Sequence, residues 1–513
     1  LRSVVISKLI RARVPLQILH IEPEPRPELV EYKLRTLTSQ PTSLSRRLSN
    51  GIWPDLAEQM AAALPKYAKP TPERQIFVNR ALRMESIRFV GFDLDWTLAD
   101  YRRLPLEELT FELAMNRLIQ ENGYPETIRA CQFRPDFPRR GLLIDKDSGT
   151  VLRMSRHRFV NLAYQGRERL DRHQLMQLYR YEPIQPSSDR FYHVDSLFEL
   201  PEANLYAELI ELTKQGRDSG LPAPRTIFND LRRAIDWVHA HGALKKRVVA
   251  DLPRYLDRDP ELGLALARLA LGGRRLFLLT NSDWDYASAI SSYLLDGLLP
   301  GLESWKELFD LVVVGAGKPD FFSQKRPFLE LSETGDTLAE TETPEWLGTY
   351  QGGCLEGLME LIDGPGESVL YVGDHIYGDI VTSKLESTWR TALIVSELED
   401  EIRQRADLAA RLEEGIALRH RLAELGHQMD HLRDVLLVSE TSTKPPREGS
   451  EQPDRIRHRL ESVTSKHRQL LGREARWSQK LDASFNPYWG PFFNQGTSKT
   501  RFASQLEAYA CLY

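Results

Sequence analysis

Residues 86–101 read SIRFVGFDLDWTLADY. An apolar run ends in Asp93, and Asp95 and Thr97 follow at alternate positions. A short run rich in Val, Ile and Phe that stops at a carboxylate has the pattern of a buried parallel strand with polar groups at its carboxyl end. Three further runs repeat it: RLFLLTNS at 275–282, DLVVVGAGK at 310–318 and SVLYVGD at 368–374, with RTALIV at 390–395 as a fifth. Helical-period segments lie between several of them. Apolar strands alternating with helices predict an α/β fold with a doubly wound, Rossmannoid parallel sheet. Ligands of such sheets bind beyond the carboxyl ends of the strands. The first four runs bring Asp93, Thr280, Lys318 and Asp374 to that rim.

The rest of the chain is organised around this sheet. Residues 102–268 separate the first and second strands, far too long a stretch for a simple crossover. They are expected to form an inserted cap domain over the rim, leaving 83–101 and 269–396 as the catalytic core. Residues 1–82 are Pro-punctuated and read as an N-terminal extension packed on the core. Residues 397–482 read as a helical C-terminal extension, whose first part, 397–438, is dense in Leu, Ala, Glu and Arg. The spacing predicts one long helix or a helical hairpin, breaking near Gly415 or Gly426, then a polar linker at 439–454 and a second helix at about 455–482. A coiled-coil-like pair and two amphipathic helices lying on the core fit this periodicity equally. Residues 483–513 are aromatic and are expected to dock on the body.

Composition narrows the function classes. At about 150 residues per domain, 513 residues allow three domains or fewer. Basic and acidic side chains number 68 and 73, a net charge of −5, which argues against nucleic acid or an anionic membrane as partner. The three cysteines, Cys131, Cys354 and Cys511, cannot build a disulfide framework or a cysteine zinc site, and point to a reducing, cytoplasmic compartment. No apolar run approaches the ~20 residues that span a bilayer. The first residues are basic but lack a continuous apolar segment, so a secretory signal is rejected. The chain starts at Leu1, so a preceding piece is left open.

The rim residues suggest phosphate chemistry. Alternate side chains of an extended segment point the same way, so Asp93 and Asp95 can face one reacting centre, one as nucleophile and one as proton carrier. Thr280 and Ser282 offer hydroxyls to phosphate oxygens. Lys318 offers a point charge. Asp93, Asp374 and a substrate phosphate would meet the oxygen-ligand demand of Mg²⁺.

D-x-D-x-T, a strand ending in Thr/Ser, a Lys and G-D-x(4)-D, in that order, resemble the motif set of the haloacid dehalogenase-like (HAD) phosphatases. The wording of FVNRALRMESIRFVGFDLDWTLADY, FLLTNSDWDY, GKPDFF, LYVGDHIYGDIVTSK and TRFASQLEAYACLY is similar to the cytosolic purine 5'-nucleotidase family, which acts on IMP and GMP. The likeness runs from about residue 74 to the C-terminus and is weakest at 320–350 and 400–490. It implies a HAD-like core in which Asp93 forms an aspartyl-phosphate. Asp95 would protonate the leaving 5'-oxygen and then activate water. Mg²⁺ would be held by Asp93, the backbone carbonyl of Asp95 and Asp374, with Asp379 in support. Thr280, Asn281, Ser282 and Thr97 would bind phosphate, and Lys318 would steady the charge. It also implies a homo-oligomer, with no nucleic-acid or membrane partner, and phosphotransfer to a nucleoside acceptor as a further activity.

Substrate choice should lie in the cap. In IFNDLRRAIDWVHAHGALKK, residues 227–246, Arg232, Asp236 and His239 fall on one helical face and Lys245 follows Gly242. A 6-oxopurine presents O6 and N7 acceptors and an N1–H donor, so Arg can donate and Asp can accept. Adenine lacks that N1 proton. The resemblance assigns base recognition to these four positions and stacking on the base to Phe198. Two departures, Glu199 and Asp195 in place of Asn, with poorly matched Arg158 and Arg167, bear on effector binding rather than on catalysis. Two alternatives stand beside this reading. One is a phosphatase for another small phosphate ester, and the other is a non-catalytic nucleotide-binding scaffold.

Overall fold

The computed structural model describes residues 71–214, 220–240, 242–299, 302–441, 452–495 and 498–513. The expectations for residues 1–70 of the N-terminal extension and for 442–451 of the linker fall outside the described residues.

The first run becomes strand β1, Phe89–Phe92, buried along its whole length. Short β2, Asp100–Tyr101, leads into helix α1, Arg103–Asn122. Strands β3, Leu142–Asp145, β4, Thr150–Met154, β5, Val160–Gln165, β6, Glu168–Arg169, and β7, Phe191–Val194, form a second sheet in the order β6-β5-β4-β3-β7, antiparallel throughout. Leu143, Leu152, Met154, Ala163 and Phe191 pack together in a core of their own. Helices α2, Leu200–Lys214, α3, Pro224–Ala240, and α4, Ala243–Ala250, follow. Strand β8, Leu256–Asp257, then pairs antiparallel with β2, so the two connections between this inserted region and the large sheet are stitched side by side.

Helix α5, Glu261–Leu271, returns the chain to the large sheet through β9, Arg275–Leu279. Helix α6, Trp284–Leu295, β10, Leu311–Val314, β11, Phe328–Leu331, β12, Thr337–Thr341, β13, Thr349–Gly352, β14, Val369–Gly373, and β15, Arg390–Leu393, complete it. The order is β12-β11-β13-β10-β9-β1-β14-β15, parallel from β13 to β15 with β11 and β12 antiparallel at one edge. The chain is therefore mixed α/β with a mostly parallel central sheet.

Strand β1 lies between β9, reached next among the large-sheet strands, and β14, reached much later. That reversal of strand order is a topological switch point, where a crevice opens at the carboxyl ends. Gly91 is required inside β1 because a Cβ there would fall 2.2 Å from the Phe277 ring of β9. Phe277, Tyr371 and Trp389 pack beneath the sheet. At the far edge Cys511 N and Leu512 N donate to Thr391 O, and Phe77 stacks on Tyr513 at 5.3 Å between centroids. Among the described residues no helix is long and apolar enough to cross a membrane.

The chain divides into two units, one of residues 1–396 with 499–513 and one of 397–498. The second holds helix α8, Ala409–Thr441, and α9, Pro453–Phe485, after α7, Ser396–Asp407. The helical interruption expected at Gly415 or Gly426 falls instead at Leu408. Gly415 is there for packing: a Cβ would lie 1.9 Å from the Trp477 ring of α9, so the glycine lets the two helices close together. Arg419–Glu474 and Arg473–Glu414 cross the same seam, each at 3.6 Å. Helix α10, Arg501–Tyr509, belongs to the first unit.

Candidate active site

Four strand ends converge at the switch point. Asp93 directly follows β1, and its backbone N–H donates to Val372 O of β14 at 2.9 Å. Beyond it the chain turns tightly: the N–H groups of Thr97, Leu98 and Ala99 all donate to Leu94 O, and Trp96 takes a left-handed φ of 55°. This turn sends Asp95 away from Asp93. Asp95 Oδ1 accepts from the Tyr101 hydroxyl and Oδ2 from the Ser282 hydroxyl, both at 2.6 Å. Tyr101 also meets the Tyr286 hydroxyl at 2.9 Å. Burial, with Asp95 adding to it, holds the Tyr101 phenol well above its ordinary range, so it stays a donor.

Lys318 stands at the end of the loop after β10. Its ammonium lies 2.9 Å from Asp93 Oδ1 and 2.8 Å from both Asp379 Oδ1 and the Tyr371 hydroxyl. Burial alone would lower this amine, but Asp379 and Asp93 outweigh it and hold it well above the usual lysine range. Asn281 clasps the same loop, donating to Lys318 O at 2.9 Å and accepting from Lys318 N at 2.7 Å. Thr280 is fully buried, and its hydroxyl accepts from Ser282 N. Thr97 is buried with no hydrogen-bond partner for its hydroxyl among the described residues. Thr280, Asn281, Ser282 and Thr97 thus surround the centre, but Asn281 and Ser282 use their side chains on Lys318 and Asp95.

Asp374 follows β14, and Asp379 sits in the π-helical turn Ile376–Val381. Asp379 Oδ1 accepts from Lys318 and Oδ2 from His375 N. Gly373 makes this possible, since a Cβ there would fall 2.4 Å from Asp379 Oδ2. From the inserted region Arg140, itself buried, donates to Asp374 O at 2.6 Å.

Asp93, Asp374 and Asp379 each offer an oxygen, and these lie within 4.8 Å of one another. Three buried carboxyl groups face one ammonium in a poorly solvated place. Burial pushes Asp93 up to about 7, opposed by Lys318 and reinforced by Asp379 and Asp95. An oxygen-only donor set in which acids outnumber bases suits a hard divalent cation. Because both Asp379 oxygens are already engaged, Asp93 and Asp374 are the better-placed direct ligands.

The second group of sequence-predicted residues lies on α3 and near it. Arg232 donates to Asp236 Oδ1 from Nη2 at 2.7 Å, to the Tyr192 hydroxyl at 2.7 Å and to Glu202. Burial would lower Arg232, but Glu202, Tyr192 and Asp236 keep it charged. His239 is pushed down to about 4 by burial, with Arg232 adding to it, so its ring is neutral at pH 7. Its Nε2 has no partner among the described residues. Phe198 packs edge-on to His239, Trp96 and Tyr101, at 5.3, 5.9 and 6.2 Å between centroids, and so ties the α3 face to the turn after β1. Lys245 pairs with Asp283, the residue that caps α6, and its charge, like that of Arg232, acts on His239.

Sequence reasoning did not find Tyr101, Tyr371, Arg140 or Glu202. Tyr101 was within the quoted motif, where a hydroxyl six residues beyond Asp95 was the available signal. Glu202 is one of three acids in LFELPEANLYAEL, with Glu199 and Glu208, and nothing local sets it apart from them.

The profile of the family described as the 5' nucleotidase family matches residues 76–513. A 5'-nucleotidase domain-containing protein of Dictyostelium discoideum is 31% identical over 453 residues, covering 86% of this chain and 71% of the relative.

Proposed function

The chain belongs to the 5' nucleotidase family and is a 5'-nucleotidase, an enzyme that hydrolyses nucleoside monophosphates; from that premise we propose that it acts on purine nucleotides with a 6-oxo base, IMP and GMP, through a phosphorylated Asp93. The observation that carries this is the pairing of two differently held aspartates at one switch point: Asp93 among Lys318, Asp374 and Asp379, and Asp95 between Tyr101 and Ser282.

Asp93 Oδ attacks phosphorus, and the bond from phosphorus to the 5'-oxygen breaks. Asp95 gives its proton to that oxygen, releasing the nucleoside. Asp95, now a carboxylate, takes a proton from water as the water oxygen attacks the aspartyl-phosphate, and phosphate leaves with Asp93 restored. The Tyr101 and Ser282 hydroxyls orient the Asp95 carboxyl for both proton transfers. A nucleoside hydroxyl in place of water gives phosphotransfer. Lys318 neutralises the phosphoryl oxygens and Asp93 without moving, because Asn281 and Asp379 hold it from two sides. Asp93, Asp374 and the Asp95 carbonyl would hold Mg²⁺, which supplies positive charge to the phosphate oxygens when bound.

Residues 102–268 serve in this reading as a cap on a HAD-like core. Arg232 and Asp236 present a donor beside an acceptor, which matches the O6/N7 and N1–H edge of hypoxanthine and guanine but not adenine. Phe198 supplies a face for the base, and neutral His239 lies against it.

The phosphorylated intermediate is the direct test. The enzyme is mixed with IMP, quenched in acid and digested, and its peptides are weighed. The expected result is one phosphate on the peptide carrying Asp93. Phosphate on another residue, or on none under rapid quench during turnover, contradicts the mechanism.

A further inference from the structure

The proposed base reader is held from behind by a residue with no role so far. Arg232 has five N–H donors. Its Nη1 is used by the Tyr192 hydroxyl and by Glu202 Oε2, while Nε and Nη2 turn to Asp236. The two acids differ sharply in setting. The Asp236 side chain is 65% exposed and the Glu202 side chain is fully buried. An exposed i,i+4 ion pair is weak and screened by salt, so Asp236 cannot fix the guanidinium by itself. If Asp236 accepts from the base, it also gives up part of its hold on Arg232 when substrate binds. Glu202 keeps its hold, since no solvent competes for it.

Around Glu202 the support continues. The Tyr192 hydroxyl donates to Glu199 Oε1 at 2.7 Å, and Glu199 Oε2 accepts from the N–H groups of Asp195 and Ser196 at 2.7 and 2.9 Å. Glu199 is thereby locked in the capping box at the entrance to α2, two residues after the chain delivers Leu197 and next to Phe198. One connected set of hydrogen bonds therefore fixes both the guanidinium and the aromatic face.

We infer that Glu202 is a positioning residue for purine selectivity: with Tyr192 it occupies Nη1 of Arg232 and turns the Nε/Nη2 edge toward the base. This rests on the base-recognition reading above. Glu202 does not touch the phosphate centre, so its loss should act on which nucleotide binds rather than on phosphoryl transfer.

The test compares IMP with p-nitrophenyl phosphate, which has the ester but no purine, on the full chain with Mg²⁺. For Glu202→Gln the ratio of kcat/KM values, IMP over p-nitrophenyl phosphate, should fall about tenfold or more, chiefly through KM for IMP, because the amide NH₂ cannot accept and competes with the amide oxygen for the place facing Arg232 Nη1. Glu202→Asp, which keeps the carboxyl group, should recover part of the ratio. Equal losses on both substrates, or an unchanged ratio, overturn the inference. If Glu202→Gln does not fold by thermal melting, Tyr192→Phe removes only the hydroxyl, and the ratio should still fall about threefold as for a single modest hydrogen bond; no change there overturns it as well. Wild-type enzyme assayed with IMP and UMP separates the two levels. Preference for IMP with an unchanged ratio in both variants defeats this inference alone, whereas no preference for IMP defeats the base-recognition reading and the inference together.

Discussion

The rim of the large sheet and the outer face of α3 both concentrate charge, yet they hold it in different ways. At the rim the Lys318, Asp93 and Asp379 side chains are 4%, 11% and 2% exposed, and each projects from a strand end or a turn locked to one. On α3 the Arg232 side chain is 23% exposed, and its partner Asp236 is largely in solvent. Buried charges in a fixed frame keep their energy of interaction and need no reorganisation during reaction. Half-solvated charges on a helix can exchange one partner for another, which is what recognition of a base demands. The contrast suggests a division of labour: the rim does the same chemistry on any phosphate ester, and the α3 face chooses among esters.

The strongest way to break that division is at Asp93. Asp93→Asn removes the carboxyl proposed as nucleophile while keeping its shape, and kcat should fall by about 10³-fold or more for every substrate. A variant that loses IMP turnover but retains p-nitrophenyl phosphate hydrolysis would place the chemistry elsewhere. Metal removal comes next. Treatment with EDTA should cost about a hundredfold in rate on all substrates alike, in line with the few kcal/mol such an ion supplies, and Mg²⁺ should restore it. Full activity in EDTA would remove the metal from the account.

Arg232→Ala probes the other region. The kcat/KM ratio of IMP over p-nitrophenyl phosphate should fall by about 10- to 100-fold, the cost of hydrogen bonds from a charged donor. Loss confined to kcat and equal on both substrates would dissolve the distinction between the regions. Tyr101 stands between them, bonded to Asp95 and packed against Phe198. Tyr101→Phe should lower kcat about tenfold, as for one hydrogen bond to a carboxylate, and should move the pH profile of kcat without changing the order of preferred nucleotides. An unmoved profile would mean that Tyr101 only packs.

Much of this was readable in the sequence because parallel strands buried on both faces appear as unbroken apolar runs. The runs ending at Asp93, Thr280 and Asp374 needed no alignment to be seen as rim positions. What escaped depends on contacts far apart in the chain. Arg140 reaches Asp374 across 234 positions, and nothing local to either residue announces it. The antiparallel sheet of β3 to β7 was missed because β3 and β4 are buried along nearly their whole length and carry no apolar–polar alternation, although turns at 146–149 and 166–167 separate its strands. The edge strand β12 carries mostly exposed residues and lacks an apolar signature. Gly415 misled for a physical reason: glycine signals a break by its cost of about 1 kcal/mol in a helix, but here close approach of Trp477 exploits the missing side chain. On the rim, the residue types announced phosphate chemistry, whereas the true partners of Asn281 and Ser282 emerged only from geometry.

The proposed role of the α3 face is selection of 6-oxopurine nucleotides. It is tested most directly by initial rates of phosphate release from IMP, GMP, AMP and UMP, at equal concentrations below KM with Mg²⁺. The account expects IMP and GMP to be hydrolysed fastest, with AMP and UMP at least about tenfold slower, the discrimination one mismatched hydrogen-bonding edge supplies. AMP or UMP hydrolysed as fast as IMP, or faster, would contradict it.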